Sequence, residues 1–208
     1  MTTTYLCDAD PDWLAAATDL VETTRDLMLS VAVTELPAAE LREVRRQVAD
    51  LAARLGSTTR PRALRPRFDE PRLARAQGPD GAPYPVSVSS PHALPLQVRF
   101  DGDPGVDRAH AVFVANALHE GPPEMVHGGV SAWLMDTMLG VLVQSTGEPC
   151  VTGTLEIRYL RRTPLDLHAE IVSRSGRKLV VEGWIEIAGV RHVEARGLFV
   201  QVPMAVPN

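Results

Sequence analysis

Four stretches of alternating apolar and polar residues follow one apolar helix candidate, and this order constrains the fold more than any other feature. Residues 129–143 predict the helix; residues 151–161, 167–174, 178–187 and 192–202 then repeat with period two. In Thr154-Leu-Glu-Ile-Arg-Tyr159 the alternation puts Leu155, Ile157 and Tyr159 on one face. The connections are short and hold Pro164, Gly176 and Gly189. Two further strand candidates, 96–100 and 109–118, flank the turn Gly102-Asp-Pro-Gly105. Hairpin-linked strands after a single buried helix predict an α+β antiparallel layout.

The rest of the chain is organised differently. Residues 11–55 read as helical, with Asp10 as N-cap, Pro11 in the first turn and a break at Pro37. In the second helix Leu41, Val44, Val48, Leu51 and Leu55 are spaced 3, 4, 3, 4, and Gly56 supplies a stop. That seam spans only about two heptads, short of a coiled coil. It fits a helical hairpin packed on the main domain, with an independent oligomerisation module as the alternative. Prolines 61, 66, 71, 79, 83, 85, 91 and 95 then exclude regular helix or a central strand. The chain divides into a helical extension (1–60), a Pro/Arg-rich linker (61–90) and a main domain (91–208). The linker arginines 60, 62, 65, 67, 72 and 75 suit either a solvated connector or contacts to ligand phosphates.

Composition excludes several functional classes. Twenty-one basic against 26 acidic residues leave a net charge of −5, which gives no basic footprint for nucleic acid or an anionic membrane. Cys7 and Cys150 are too few for a disulfide scaffold and too far apart for a metal pair. The six histidines (92, 110, 119, 127, 168, 192) show no metal-ligand spacing. No Rossmann or Walker glycine pattern appears, and nothing calls for a cofactor. The first ten residues have no basic n-region, and 130–143 is too short and too polar to cross a bilayer; a cytoplasmic location is expected.

Chemistry concentrates in residues 118–140. Pro122, Pro123 and Gly121 keep the chain non-helical, and His127-Gly128-Gly129 then opens the apolar helix. A helix start presents unpaired N–H groups and partial positive charge, and glycine there lets a ligand oxygen approach the backbone. The start can therefore polarise a carbonyl or hold an oxyanion. The helix carries one carboxylate, Asp136, which burial should press into a hydrogen-bonded structural role or into work as a general base or nucleophile. Gly128 and Asp136 are eight residues apart, about 12 Å along a helix. A carbonyl polariser and a water-activating base must each lie within about 3 Å of their targets. One helix cannot place both on the same carbon, whereas two copies related by a two-fold axis can. A catalytic role for the pair therefore predicts a dimer with two interfacial sites.

The run Glu120-Gly-Pro-Pro-Glu-Met-Val-His-Gly-Gly129, with Asp136 and Gly140, resembles the signature of hotdog-fold acyl-CoA thioesterases, in the phenylacetate-pathway (PaaI-like) branch of the 4-hydroxybenzoyl-CoA thioesterase superfamily. Thr152-Gly-Thr-Leu-Glu-Ile-Arg-Tyr-Leu-Arg-Arg-Thr-Pro-Leu165 is similar to that family's strand after the helix, and Glu194-Ala-Arg-Gly-Leu-Phe199 to its last strand. The resemblance covers roughly residues 91–208. It implies a sheet wrapped around the central helix and hydrolysis of a thioester to an acid and free CoA, in a homodimer or a dimer of dimers. It casts Gly128, with Gly129, as carbonyl polariser, Asp136 as the acid, Thr152 as a hydroxyl that helps hold water, and His127 as support for the loop. Arg158, Arg161 and Arg162 become partners for CoA phosphates. Gly121 stands at a substrate-side position where relatives often carry Asn or Gln; relatives often have Gly where Glu124 stands and Pro where Arg162 stands. A non-catalytic acyl-CoA binding protein on the same fold is the competing reading.

Other signals are weaker. Gly129-Val-Ser131-Ala-Trp133 misses the nucleophile-elbow pattern at its last position, so Ser131 reads as a first-turn helix residue. Cys150 reads as a small buried apolar residue.

Overall fold

A computed structural model describes residues 9–60, 63–64, 91–94, 96–100, 108–146, 148–160 and 166–202. The elements are helices α1 (Pro11–Val33) and α2 (Ala38–Gly56), strands β1 (Gln97–Phe100) and β2 (Arg108–Val112), a 3₁₀ turn (Ala117–His119), helix α3 (Gly128–Gln144), and strands β3 (Cys150–Tyr159), β4 (Asp166–Ser175), β5 (Lys178–Ile187) and β6 (Val190–Gln201). The six strands form one antiparallel sheet in the order β1-β2-β4-β5-β6-β3. β3 crosses over to pair with β6 and becomes an edge.

Helix α3 touches every strand, so the sheet wraps around it as the hotdog architecture requires. Small residues shape the trough. Ala169, Gly183 and Ala195 lie side by side across β4, β5 and β6. A Cβ on Gly183 would come within 2.5 Å of Met135 Cε and 2.9 Å of Leu139 Cδ2, so glycine is what lets α3 seat this closely. Leu134, Met135, Met138, Leu139 and Leu142 are all fully buried against Leu167, Val181, Ile185 and Phe199. The hairpin between β5 and β6 turns on Ala188 and Gly189, both at positive φ, as a tight turn matched to strand twist requires.

Three expectations need correction. The strand predicted over 109–118 stops at Val112. Asn116 Oδ1 accepts the Leu118 N–H and the Asn116 N–H donates to His119 Nδ1, so a side-chain cap converts the tail of that segment into the 3₁₀ turn. Second, the helix read from sequence as buried keeps one side partly open. Gly129, Trp133, Asp136 and Gly140 form a face that the sheet leaves exposed or half-exposed.

Third, only one arm of the helical hairpin packs. Asp10 caps α1 by accepting the Trp13 N–H at 2.9 Å. α1 then lies against the 3₁₀ turn, and Arg25 Nη2 donates to the Ala93 carbonyl at 3.2 Å. α2 buries no residue: Leu41, Val48, Leu51 and Leu55 of its apolar seam are all exposed. Most of the linker, with Cys7, lies outside the described residues.

Candidate active site

The loop before α3 is built by local hydrogen bonds. The Gly121 N–H donates to the Met125 carbonyl at 2.8 Å, the Met125 N–H to Pro122 at 3.0 Å, and the His127 N–H to His119 at 2.8 Å. A Cβ on Gly121 would stand 2.8 Å from His127 Cα, so the tight crossing itself demands glycine. The Asn or Gln of relatives would not fit without moving the loop. Glu124 takes φ +63°, a left-handed conformation that strains any residue with a Cβ. Its N–H is held by Glu120 Oε1 at 2.8 Å.

His127 is the N-cap of α3, and its Nδ1 accepts the Gly129 N–H at 3.0 Å. Gly129 is therefore occupied. The Gly128 N–H has no partner among the described residues, so one amide at the positive end of the helix remains to receive an oxygen. Sequence reading paired Gly128 with Gly129 as polarisers, and the cap separates their roles. The Gly128 carbonyl is also fixed, accepting the Tyr159 hydroxyl at 2.8 Å. Tyr159 clamps the helix start from β3, and sequence reading placed it only as a strand-face residue. The contact spans 31 residues, and no local sequence pattern announces it.

Asp136 sits on the uncovered side of α3, half-exposed. Thr152 Oγ1 donates to Asp136 Oδ1 at 3.0 Å. The contact depends on a bulge between Thr152 and Thr154: Thr152 pairs with the buried Phe199 and so faces α3, as Leu155 does beyond the bulge. Oδ2 has no partner among the described residues. Tyr159 and Thr152 thus hold the start and the middle of α3 from one strand. Within one chain Gly128 and Asp136 stay apart.

The remaining candidates scatter. Arg158 is placed opposite Glu194, on the face of the sheet away from α3. Arg161 and Arg162 lie outside the described residues. Ser131 is buried beneath the first turn of α3. Cys150 is a buried free thiol, and burial pushes its pKa up, which removes it as a nucleophile near neutral pH. His119, within the loop, is held below the usual histidine value by burial. Among the described residues no cluster of three His, Cys, Asp or Glu side chains could hold a metal, and no helix is long and apolar enough to cross a membrane.

Residues 124–197 match the family model of the thioesterase superfamily. That segment is about a third of the chain. The match takes in α3, Asp136, Thr152 and all of β3 to β5. The chain is 27% identical to protein RHA08564, a thioesterase superfamily protein of known crystal structure, at a TM-score of 0.72, over 88% of this chain and 94% of that one. That alignment extends well beyond the matched segment. A phenylacetic acid degradation-related protein from Ralstonia eutropha JMP134 aligns over 62% of this chain and 96% of its own, at 23% identity and a TM-score of 0.51, which bears on the fold alone. The likeness to thioesterase-superfamily proteins points towards thioester hydrolysis as the chemistry to test.

Proposed function

We propose that the protein hydrolyses an acyl-CoA thioester, ring-bearing or aliphatic, at two sites formed between the subunits of a dimer, with no cofactor. The observation that carries this reading is the division of labour along α3. An unpartnered Gly128 N–H opens the helix, and a threonine-tethered carboxylate stands on its uncovered face about 12 Å further on. Each is half of a hydrolytic site. Among the described residues β3 is an edge strand, with Val151 and Tyr159 exposed and Leu160 exposed just beyond it, and an edge of that length invites a second copy. A two-fold axis perpendicular to that edge would make the two α3 helices antiparallel and set Gly128 of one protomer against Asp136 of its partner.

The Gly128 N–H then receives the thioester oxygen as charge develops on it. Thr152 holds one carboxylate oxygen of Asp136, leaving the other to take a proton from water or to attack the carbonyl carbon directly. Either way the C–S bond breaks, the acyl carbon gains an oxygen from water, and the thiolate leaves to take up a proton. His127 keeps the helix start in shape. Arg158, Arg161 and Arg162 are proposed to meet the CoA phosphates.

Replacement Asp136→Asn should abolish thiol release from a panel of acyl- and aryl-CoAs while the dimer stays folded. Unchanged turnover would end the proposal. Gly121 favours one competing reading, a protein that binds acyl-CoA without cleaving it, because a glycine there supplies no second donor to the carbonyl. Binding of CoA thioesters without thiol release would establish that alternative.

A further inference from the structure

A cavity of about 640 Å³ lies between α1, the segment 91–94, the 3₁₀ turn and the first two turns of α3, and the hydrolytic chemistry above does not use it. Its apolar lining comes from both sides. Met28 and Leu29 of α1 face Leu118, Val130 and Trp133 of the main domain. Trp133 rests against His92, ring centroids 4.9 Å apart and the rings tilted by 44°, so one wall is aromatic.

The cavity adjoins the helix start. Val130 and Trp133 follow Gly128 by two and five residues, about 3 and 7.5 Å along the axis. His119, another lining residue, holds the His127 N–H with its carbonyl. The turn that fixes the carbonyl-polarising end of α3 therefore also borders the cavity. α1 turns this region into a half-open pocket, with Glu22, Arg25 and Asp26 lining it beside Met28 and Leu29. The wall is tied down as well, since Arg25 reaches across to the Ala93 carbonyl.

Resting on the thioesterase reading, we infer that α1 is the specificity wall of the acyl site. A bulky apolar acyl group, with its carbonyl on the Gly128 N–H, extends along Trp133 into this cavity and is closed in by Met28 and Leu29. Pockets of roughly 300–1,000 Å³ enclose ligands of drug size, so an acetyl group would leave most of this one unfilled. The substrate class is a medium-chain or ring-bearing acyl thioester. The N-terminal helices thereby gain a role: the extension selects the acyl group.

The test compares acetyl-, octanoyl- and 2-naphthoyl-CoA by thiol release in the full chain and in two cavity-filling variants. Leu29→Trp fills the half-buried centre of the wall, and Met28→Trp, at a position 39% exposed, repeats the test with less risk to folding. The two bulky thioesters should lose about tenfold or more in kcat/KM, with acetyl-CoA changed by no more than about threefold. Unaltered kcat/KM ratios in both variants would overturn the wall assignment and leave hydrolysis standing. If the unaltered protein releases no thiol from any thioester, hydrolysis itself falls. Calorimetric binding of octanoate and 2-naphthoate then judges the cavity: loss of binding in the variants supports occupancy by a bulky apolar group, and equal binding overturns it.

Discussion

Replacing Gly128 by proline isolates the one atom on which carbonyl activation rests. Proline has no N–H, and residue 128 is the first residue of α3, where an amide hydrogen has no intrahelical acceptor in any case. The surroundings accept the ring. His127 has ψ 133°, the extended conformation that a residue before proline prefers. A Cβ at position 128 would meet the Tyr159 ring at 3.4 Å, an ordinary contact. Stability should stay level or rise by about 0.4–1 kcal/mol, because proline restricts the unfolded chain. Activity should not survive. Removing one preorganised oxyanion donor costs about 2.7–4 kcal/mol in the transition state, so kcat should fall about 10²- to 10³-fold. Gly128→Ala is the control: it adds the same Cβ but keeps the amide, and should stay within about tenfold of the parent. The assay is thiol release from octanoyl-CoA, with thermal unfolding beside it. A folded Gly128→Pro protein that turns over within about threefold of the parent would refute the amide's role.

Three further predictions rest on separate contacts. Thr152→Val removes the hydroxyl donated to Asp136 and should lower kcat about tenfold, since hydrogen bonds to charged groups contribute roughly 1.5–3 kcal/mol and this one is partly exposed; steady-state kinetics with unchanged unfolding checks it. Glu124→Gly relieves the left-handed strain at φ +63° and should stabilise the protein by about 1 kcal/mol in chemical denaturation. Burial raises the Cys150 thiol above its unfolded value, so the folded chain holds a proton that the unfolded chain loses as pH rises. Stability from this group is complete below the unfolded thiol pKa of about 8.5 and is lost as pH climbs through the higher folded value; denaturation at pH 7 and pH 9.5, compared with Cys150→Ala, reads the difference.

Legibility in the sequence followed how local the determining physics was. The β4 to β6 hairpins were readable because period-two alternation and turn glycines act within a few residues, and the 178–187 strand matches β5. The helix start was readable for the same reason: His127 and the two glycines are neighbours in the chain. The hydrogen bonds of Tyr159 to Gly128 and of Thr152 to Asp136 span 31 and 16 residues, and no local pattern announces them. Resemblance supplied Thr152 but not its partner. The bulge that turns Thr152 towards α3 depends on strand register, which alternation alone leaves open. The partly open side of α3 was not legible because an apolar helix gives no sign of which face its own sheet leaves free. Composition likewise could not separate the two N-terminal helices, of which one packs and the other offers its seam to solvent.

The shared site is tested most directly by mixing inactive subunits. Asp136→Asn and Gly128→Pro chains, each inert alone, are unfolded together, refolded and assayed for thiol release. Random pairing makes half the dimers mixed, and each mixed dimer carries one site with both the Gly128 amide and the Asp136 carboxylate intact. About one quarter of wild-type activity should return. A mixture that forms mixed dimers yet stays as inactive as its two components would show that the amide and the carboxylate do not meet across subunits.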